Sequence, residues 1–234
     1  MEISINCPGC GKTLKVNVTE EPVKKVTVIR PYRSLYSWAE IKNEIKSGNA
    51  DGFFKIGDVI PIELKNGESV NLVVAAINHY EGNQVIFIFD NLVGKHNMNE
   101  EDSNTGGWRD CKMREYLSYE FIELLPDELK AVISARTIVQ RINGKNYLST
   151  DKLWLPSATE VGGRCAADID DKPFPIFSGE RSRVREFNGE TYWWWLRSPS
   201  VSSATGFWLV GGGGYVYDGS GASSAGGVCP CFII

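Results

Sequence analysis

Trp193-Trp-Trp-Leu-Arg-Ser-Pro199 is the densest aromatic run in the 234-residue chain, and the chain changes character at its end. Under the two-residue period of a strand, Trp193 and Trp195 share one face and Trp194 takes the other, so at least one of those faces is core. Burial therefore accounts for most of the three indoles, with sugar stacking or a cation–π contact as the competing reading. Arg197 reads as an anchor that holds a loop through backbone carbonyls or a carboxylate, not as a catalytic group.

Of the 54 acidic and basic residues, 53 lie at or before Arg197, and residues 198–234 carry only Asp218. Those 37 residues contain nine Gly and seven Ser, and no Lys, Arg, Glu, Gln, Met, Asn or His. They are not a simple linker. Phe207, Trp208, Val210, Tyr215, Val216, Tyr217, Val228 and Phe232 are strand formers placed through the glycines. A buried terminal sheet remains the plain alternative.

Upstream the composition is ordinary. With 42% hydrophobic and 23% charged residues, the chain has enough apolar surface for one globular domain with a small appendage. No run approaches the eighteen or so apolar residues of a membrane helix, and MEISINCPGC lacks the regions of a signal peptide. The expectation is a cytoplasmic or virion-associated chain without membrane insertion. A net charge of -4 and a pI near 5.4 argue against nucleic acid as a partner. Six scattered cysteines read as reduced thiols rather than a disulfide scaffold.

The first 33 residues read as a separate piece. Cys7-Pro8-Gly9-Cys10 is a C-x-x-C knuckle of the zinc-ribbon type, followed by alternation over 12–18, but 26–33 supplies no second pair of ligands. Cys7 and Cys10 are thus weak metal candidates, and a degenerate, metal-free ribbon is favoured over zinc. Ser37 then caps a helix with Trp38, Ile41 and Ile45 on one face, ended by Gly48. Strands follow at 58–64, 70–78 and 84–89, turned by Asn66-Gly67 and Glu81-Gly82-Asn83. A helix is expected over 107–117, another begins at Pro126, Ser157-Ala-Thr-Glu160 is a capping box opening a short third piece, and 162–185 is loop. Strands resume at 191. The order of strands, helices and strands indicates an α+β fold whose last strands return to the first sheet.

A set of segments now stands in a recognisable order: Ser37-Trp-Ala-Glu-Ile, Phe54-Lys-Ile-Gly-Asp58, Ile77-Asn-His-Tyr80, Lys95-His-Asn-Met98, Gly106-Gly-Trp108 with Met113-Arg-Glu-Tyr-Leu117, Leu125-Pro126, Lys152-Leu-Trp-Leu155, and Trp194-Trp-Leu-Arg-Ser-Pro199. In these the chain resembles the DUF6273 family of phage and bacterial proteins, from about residue 37 to 234. The resemblance implies a C-type lectin fold, like that of formylglycine-generating enzymes, over 37–234. Some proteins of this fold are targets of diversity-generating retroelements, whose error-prone reverse transcription rewrites adenines near the 3′ end of the gene. An AAC codon randomised at its adenines encodes any residue except Lys, Glu, Gln, Met and Trp. Residues 1–197 hold 14 Lys, 18 Glu, 2 Gln and 3 Met, so 37 residues would hold about seven by proportion, whereas 198–234 holds none. The single exception to the exclusion is Trp208, which the resemblance assigns to the framework.

On that pattern the framework comprises 193–199, Ala204, Phe207, Trp208, Val210, Gly214, Val216, Ala222, Val228, Pro230 and Phe232. The candidate contact positions, within a variable region of about 198–228, are Val201, Ser202, Ser203, Thr205, Gly206, Leu209, Gly211, Gly212, Gly213, Tyr215, Tyr217, Asp218, Ser220, Ser223 and Ser224. Tyr215 and Tyr217 share a strand face by alternation and are the best anchors, with Ser and Gly supplying adaptable contacts around them. The expected function is display of a diversified surface to an unknown protein or cell-surface ligand, without catalysis or cofactor. The alternative is a fixed structural or adhesion module of a phage or bacterial surface. A cysteine-pair oxidase is a distant third, because Cys229 and Cys231 have the wrong spacing and no neighbouring base in sequence. Asp168, Asp170 and Asp171 read as a solvated acidic loop rather than a calcium site, and His79 and His96 as structural.

Overall fold

The computed structural model describes residues 36–234, together with the backbone of Glu2–Asn6 and Thr13–Asn17. Those two short strands, β1 and β2, pair antiparallel. The Cys7–Cys10 knuckle and the 26–33 segment lie outside the described residues.

Ser37 opens the first helix by a reciprocal capping box: its hydroxyl accepts from the Glu40 amide, and the Glu40 carboxylate accepts from the Ser37 amide. Helix α1 (Trp38–Lys46) buries Trp38, Ile41 and Ile45, and a short α2 (Ala50–Phe53) leads into the first sheet. Strands β3 (Val59–Glu63), β4 (Ser69–Ile77) and β5 (Val85–Phe89) form an antiparallel meander within two residues of the expected bounds. β5 is buried at all five positions, so both of its faces are covered, and it has a neighbouring strand on each side. Its second neighbour is β15 (Cys231–Ile233), which gives the order β15-β5-β4-β3. The chain's last strand thus closes onto its first sheet, as the element order suggests.

The second sheet contains β6 (Lys95–His96), β11 (Trp194–Pro199), β12 (Gly206–Val210), β13 (Val216–Gly221) and β14 (Gly226–Gly227), ordered β13-β12-β11-β14-β6. All its pairings are antiparallel except β11 with β14. Trp194 and Trp195 are fully buried, and their indole nitrogens donate to the Arg183 and His96 carbonyls, each at 3.0 Å. Each indole buries on the order of 200 Å². Neither is open to a sugar; Trp193 is half-buried with its ring edge-on to Trp195.

The middle of the chain departs from expectation in two ways. In place of one helix over 107–117, a 3₁₀ turn at Gly107–Asp110 is separated from α3 (Lys112–Tyr116) by Cys111, whose ψ of 151° is extended. A wide turn (Leu117–Phe121), α4 (Ile122–Leu124) and α5 (Asp127–Val132) follow. Then comes an unexpected hairpin, β7 (Arg136–Ile142) with β8 (Lys145–Asp151). Its signal is Asn143-Gly144, both in the left-handed region at φ 50° and 77°, the turn geometry that a two-residue hairpin loop demands. After the 152–179 segment come α6 (Glu180–Arg183) and the small hairpin β9 (Arg185–Phe187) and β10 (Glu190–Tyr192). The described chain is therefore a mixed α and β structure, mostly small antiparallel sheets with few helices.

Cys111, Cys165, Cys229 and Cys231 are free and buried. The Cys229 and Cys231 thiols donate to the Phe89 and Trp154 carbonyls, and burial raises both pKa values. They serve as small core residues.

Candidate ligand-binding surface

The segment that follows Arg197 is held by a buried charge square. Arg197 reaches Glu160 and Asp171 through its two terminal nitrogens, each at 2.5 Å; Arg136 reaches the same two carboxylates, each at 2.7 Å. Each carboxylate thus bridges both guanidiniums. Tyr80 adds a hydroxyl to Glu160 at 2.5 Å and sets its ring 3.8 Å from the Arg136 guanidinium. Arg197 also donates to the Leu155 carbonyl, so both anchoring modes expected from its sequence position occur together.

Ser157 and Glu160 make the expected capping-box bonds, but over a turn rather than a helix. Gly162, at φ 87°, ends the turn, with its amide donating to the Thr159 carbonyl and that of Gly163 to the Ala158 carbonyl. The acidic 168–171 stretch is likewise not a solvated loop. Asp170 is exposed, whereas Asp171 is paired as above and Asp168 accepts from the Ser198 hydroxyl and the Thr159 amide. Their carboxylates are engaged by protein groups, which removes the basis for a calcium reading. His79 meets the Lys172 carbonyl at 3.1 Å, and His96 meets the Asn97 carbonyl and stacks on Tyr116.

These environments set opposite pH responses. Burial favours the neutral form of Glu160, but Arg197 and Arg136 outweigh it and hold the carboxyl at about 2. Burial, with Asp171 nearby, pushes Asp168 up to about 6 despite Arg197. Glu160 therefore contributes stability above its ordinary value of 4.5 that is lost as pH falls toward 2. Asp168 binds a proton more tightly when folded, so its contribution is full below 3.8 and is lost as pH rises through 6. Urea midpoints are expected to rise from pH 2 to between 4 and 5 and to decline by pH 7. Asp168→Asn should flatten the decline; an unchanged slope in that variant would refute the assignment.

Beyond the square, the chain forms a loop over 200–205 and the β12–β13 hairpin. The side-chain amide nitrogen of Asn104, itself buried, lies 2.8–2.9 Å from the carbonyls of Ser200, Ser203 and Gly206, its two hydrogens shared among the three. Asp102 accepts from the Ser223 amide and hydroxyl, and those bonds hold its carboxyl below the usual range. Neither support is evident in the sequence, where both residues sit in an ordinary polar loop.

On this frame Val201, Ser202, Ser203, Thr205, Gly213, Tyr215, Tyr217, Asp218 and Ser223 are exposed. Leu209, Gly211, Gly212, Ser220 and Ser224 are half-buried. Gly206 is the exception among the contact positions, buried against the Ser220 backbone where a Cβ would overlap the carbonyl. Phe207, Val210, Gly214, Ala222, Val228, Pro230 and Phe232 are buried and Trp208 and Val216 half-buried; Ala204, placed in the framework by resemblance, is exposed. Tyr215 and Tyr217 are 53% and 52% exposed with ring centroids 6.4 Å apart, tilted by 50°. Tyr215 lies in the turn just before β13 rather than on it, and its phenol is raised by a hydrogen bond with Glu180. The Ser202 hydroxyl donates to Asp218 at 3.0 Å and joins the 200–205 loop to β13. Phenols, hydroxyls, small backbone-exposing residues and one carboxylate suit recognition by contact and hydrogen bonding.

Fold and surface together define a mixed α and β protein whose antiparallel C-terminal hairpin is presented to solvent from a buried charge square. The chain belongs to the family described as Domain of unknown function (DUF6273), whose model matches residues 82–234. No curated protein and no solved structure matches the chain. The matched region begins in the turn between β4 and β5, yet β3 and β4 complete the sheet that β5 and β15 share.

Proposed function

We propose that the chain is a non-enzymatic ligand-binding protein, the target of a diversity-generating retroelement, displaying a variable surface over about 198–228 on a C-type lectin scaffold spanning 37–234. The observation that carries this is a mismatch between exposure and composition. Lys and Glu are the residues most at home on a solvated surface. Nine of the contact positions are exposed, and Lys, Glu, Gln and Met are missing from the whole of 198–234. Burial does not explain an absence that extends to exposed positions, whereas randomised AAC codons produce it directly. Tyr215 and Tyr217 are the anchors, rigid and amphipathic, and the partner is a protein or another cell-surface ligand.

The test is the DNA. A reverse-transcriptase gene beside this one is expected, with a near-copy of the 198–228 coding segment that differs only at adenines. If no such copy exists and the segment is invariant between isolates, the proposal fails, and a fixed structural or adhesion module takes its place.

A further inference from the structure

Twice the chain sets one of its own arginines between a tyrosine ring and a carboxylate. Arg136 stands 3.8 Å from the Tyr80 ring centroid and pairs with Glu160, which also accepts the Tyr80 hydroxyl. Arg109 stands 4.6 Å from the Tyr147 centroid and pairs with Asp110. A guanidinium suits this place because its weakly hydrated face stacks on the ring while its edge carries donors for the carboxylate.

The displayed surface holds the same parts without the arginine. The Tyr215 phenol is hydrogen-bonded to the exposed Glu180 carboxylate at the start of α6, and Glu180 first, then Tyr217, raise its pKa. Among the described residues, Glu180 and Asp218 form no ion pair and no cation lies over either ring. Arg183 donates to the Val161 and Gly214 carbonyls, and Arg164 and Arg181 are exposed. Within 198–234 there is no basic residue at all. Randomised AAC codons account for the missing Lys, but they allow Arg and His, and neither occurs.

The rings are also spaced for a guest. Their centroids are 6.4 Å apart and their planes tilted by 50°, with about half of each residue open to solvent. A charge centred about 4 Å off the midpoint of the two centroids lies about 5 Å from each, inside the roughly 6 Å over which a ring attracts a cation.

We infer that Tyr215, Tyr217 and Glu180 receive an arginine side chain exposed on a partner protein, its guanidinium against the rings and its donors on the Glu180 carboxylate. This rests on the reading of 198–228 as the binding surface and narrows the partner to a protein that offers a basic side chain. Lysine ranks second, because its ammonium is more strongly hydrated and cannot present a fork of donors.

The test is an NMR titration of the full chain, its tyrosine rings isotope-labelled, at low salt with four probes. These are the capped tripeptide acetyl-Gly-Arg-Gly-amide, its lysine and citrulline counterparts, and choline. The arginine peptide is expected to shift the Tyr215 and Tyr217 ring signals saturably in the millimolar range, the lysine peptide to bind roughly threefold more weakly, and citrulline and choline to leave the rings unmoved. Tyr215→Leu with Tyr217→Leu should abolish binding, and Glu180→Gln should weaken it roughly threefold or more, with urea midpoints in place. The inference is overturned if the arginine peptide moves neither ring, if the lysine, citrulline or choline probe matches it, or if Glu180→Gln binds as the parent does. Should the adenine-differing DNA copy be found while the rings stay unmoved, only the arginine inference falls; a saturable arginine response without such a copy sinks the retroelement reading instead.

Discussion

Arg197→Met lowers the stability of the chain by about 3–5 kcal/mol, the cost of breaking a buried ion pair from one side. The side chain is fully buried, and its removal leaves Glu160 and Asp171 to share Arg136 alone. Two carboxylates beside one guanidinium repel each other in a site closed to water. The Leu155 carbonyl also loses its donor from Arg197. For a chain of this size the loss corresponds to a melting temperature lower by roughly 10 °C. Arg197→Lys should fail almost as badly, because an ammonium cannot present two parallel donors to two carboxylates at once. Pairing Arg197→Met with Glu160→Gln should recover part of the loss, since it removes the stranded charge. A drop below about 1 kcal/mol in the single variant would mean that the square is not what holds β11 to the 152–171 segment.

That square shows where a sequence can and cannot be read. Local signals translated well: Ser37 and Glu40 fix α1, and short apolar or alternating runs between the Asn66-Gly67 and Glu81-Gly82-Asn83 turns fix β3 to β5, because each depends on residues a few positions apart. Arg197 was legible as an anchor from its apolar neighbours. Its partners were not, since Glu160 and Asp171 lie 37 and 26 residues away and Arg136 closes the figure from another hairpin. The same limit applies to the acidic 168–171 stretch, whose solvated reading fails because folding brings two arginines and Ser198 to it. The 136–151 hairpin is a different case. Its Asn143-Gly144 turn is a local signal, hidden by flanking strands that are polar on one side and carry Arg, Gln and Lys. On the candidate surface, composition located the exposed segment, but Asn104 and Asp102, which hold its loops in place, are distant in sequence and chemically unremarked.

Adjacent glycines in the β12–β13 turn should respond in opposite ways to substitution, and the contrast bears directly on whether this surface tolerates variation. Gly213 is exposed with an ordinary backbone, and a Cβ there would rest 3.5 Å from the Tyr215 ring, a normal contact. Replacing it by Ala, Ser or Asp should change stability by no more than about 0.5 kcal/mol. Gly214 sits at φ 88°, buried, with the Glu180 backbone where a Cβ would stand. The left-handed backbone alone costs about 1–2 kcal/mol for any other residue, and the overlap must displace the start of α6 as well, so Gly214→Ala should lose more than about 3 kcal/mol. Gly206 follows Gly214 despite its place among the contact positions, because the obstacle is the Ser220 carbonyl and not a side chain that can swing aside. Gly211 is intermediate: its Cβ would come within 2.8 Å of the Tyr217 ring, which must then rotate, so substitution there is coupled to the conformation of an anchor. A library randomised across 201–224 and selected for protease resistance reads all of these at once. Survivors should vary freely at Val201, Ser202, Ser203, Gly213 and Asp218 and retain Gly at 206 and 214. Equal tolerance at Gly213 and Gly214 would show that the turn is not built as described, and intolerance at the exposed positions would leave no room for a diversified surface.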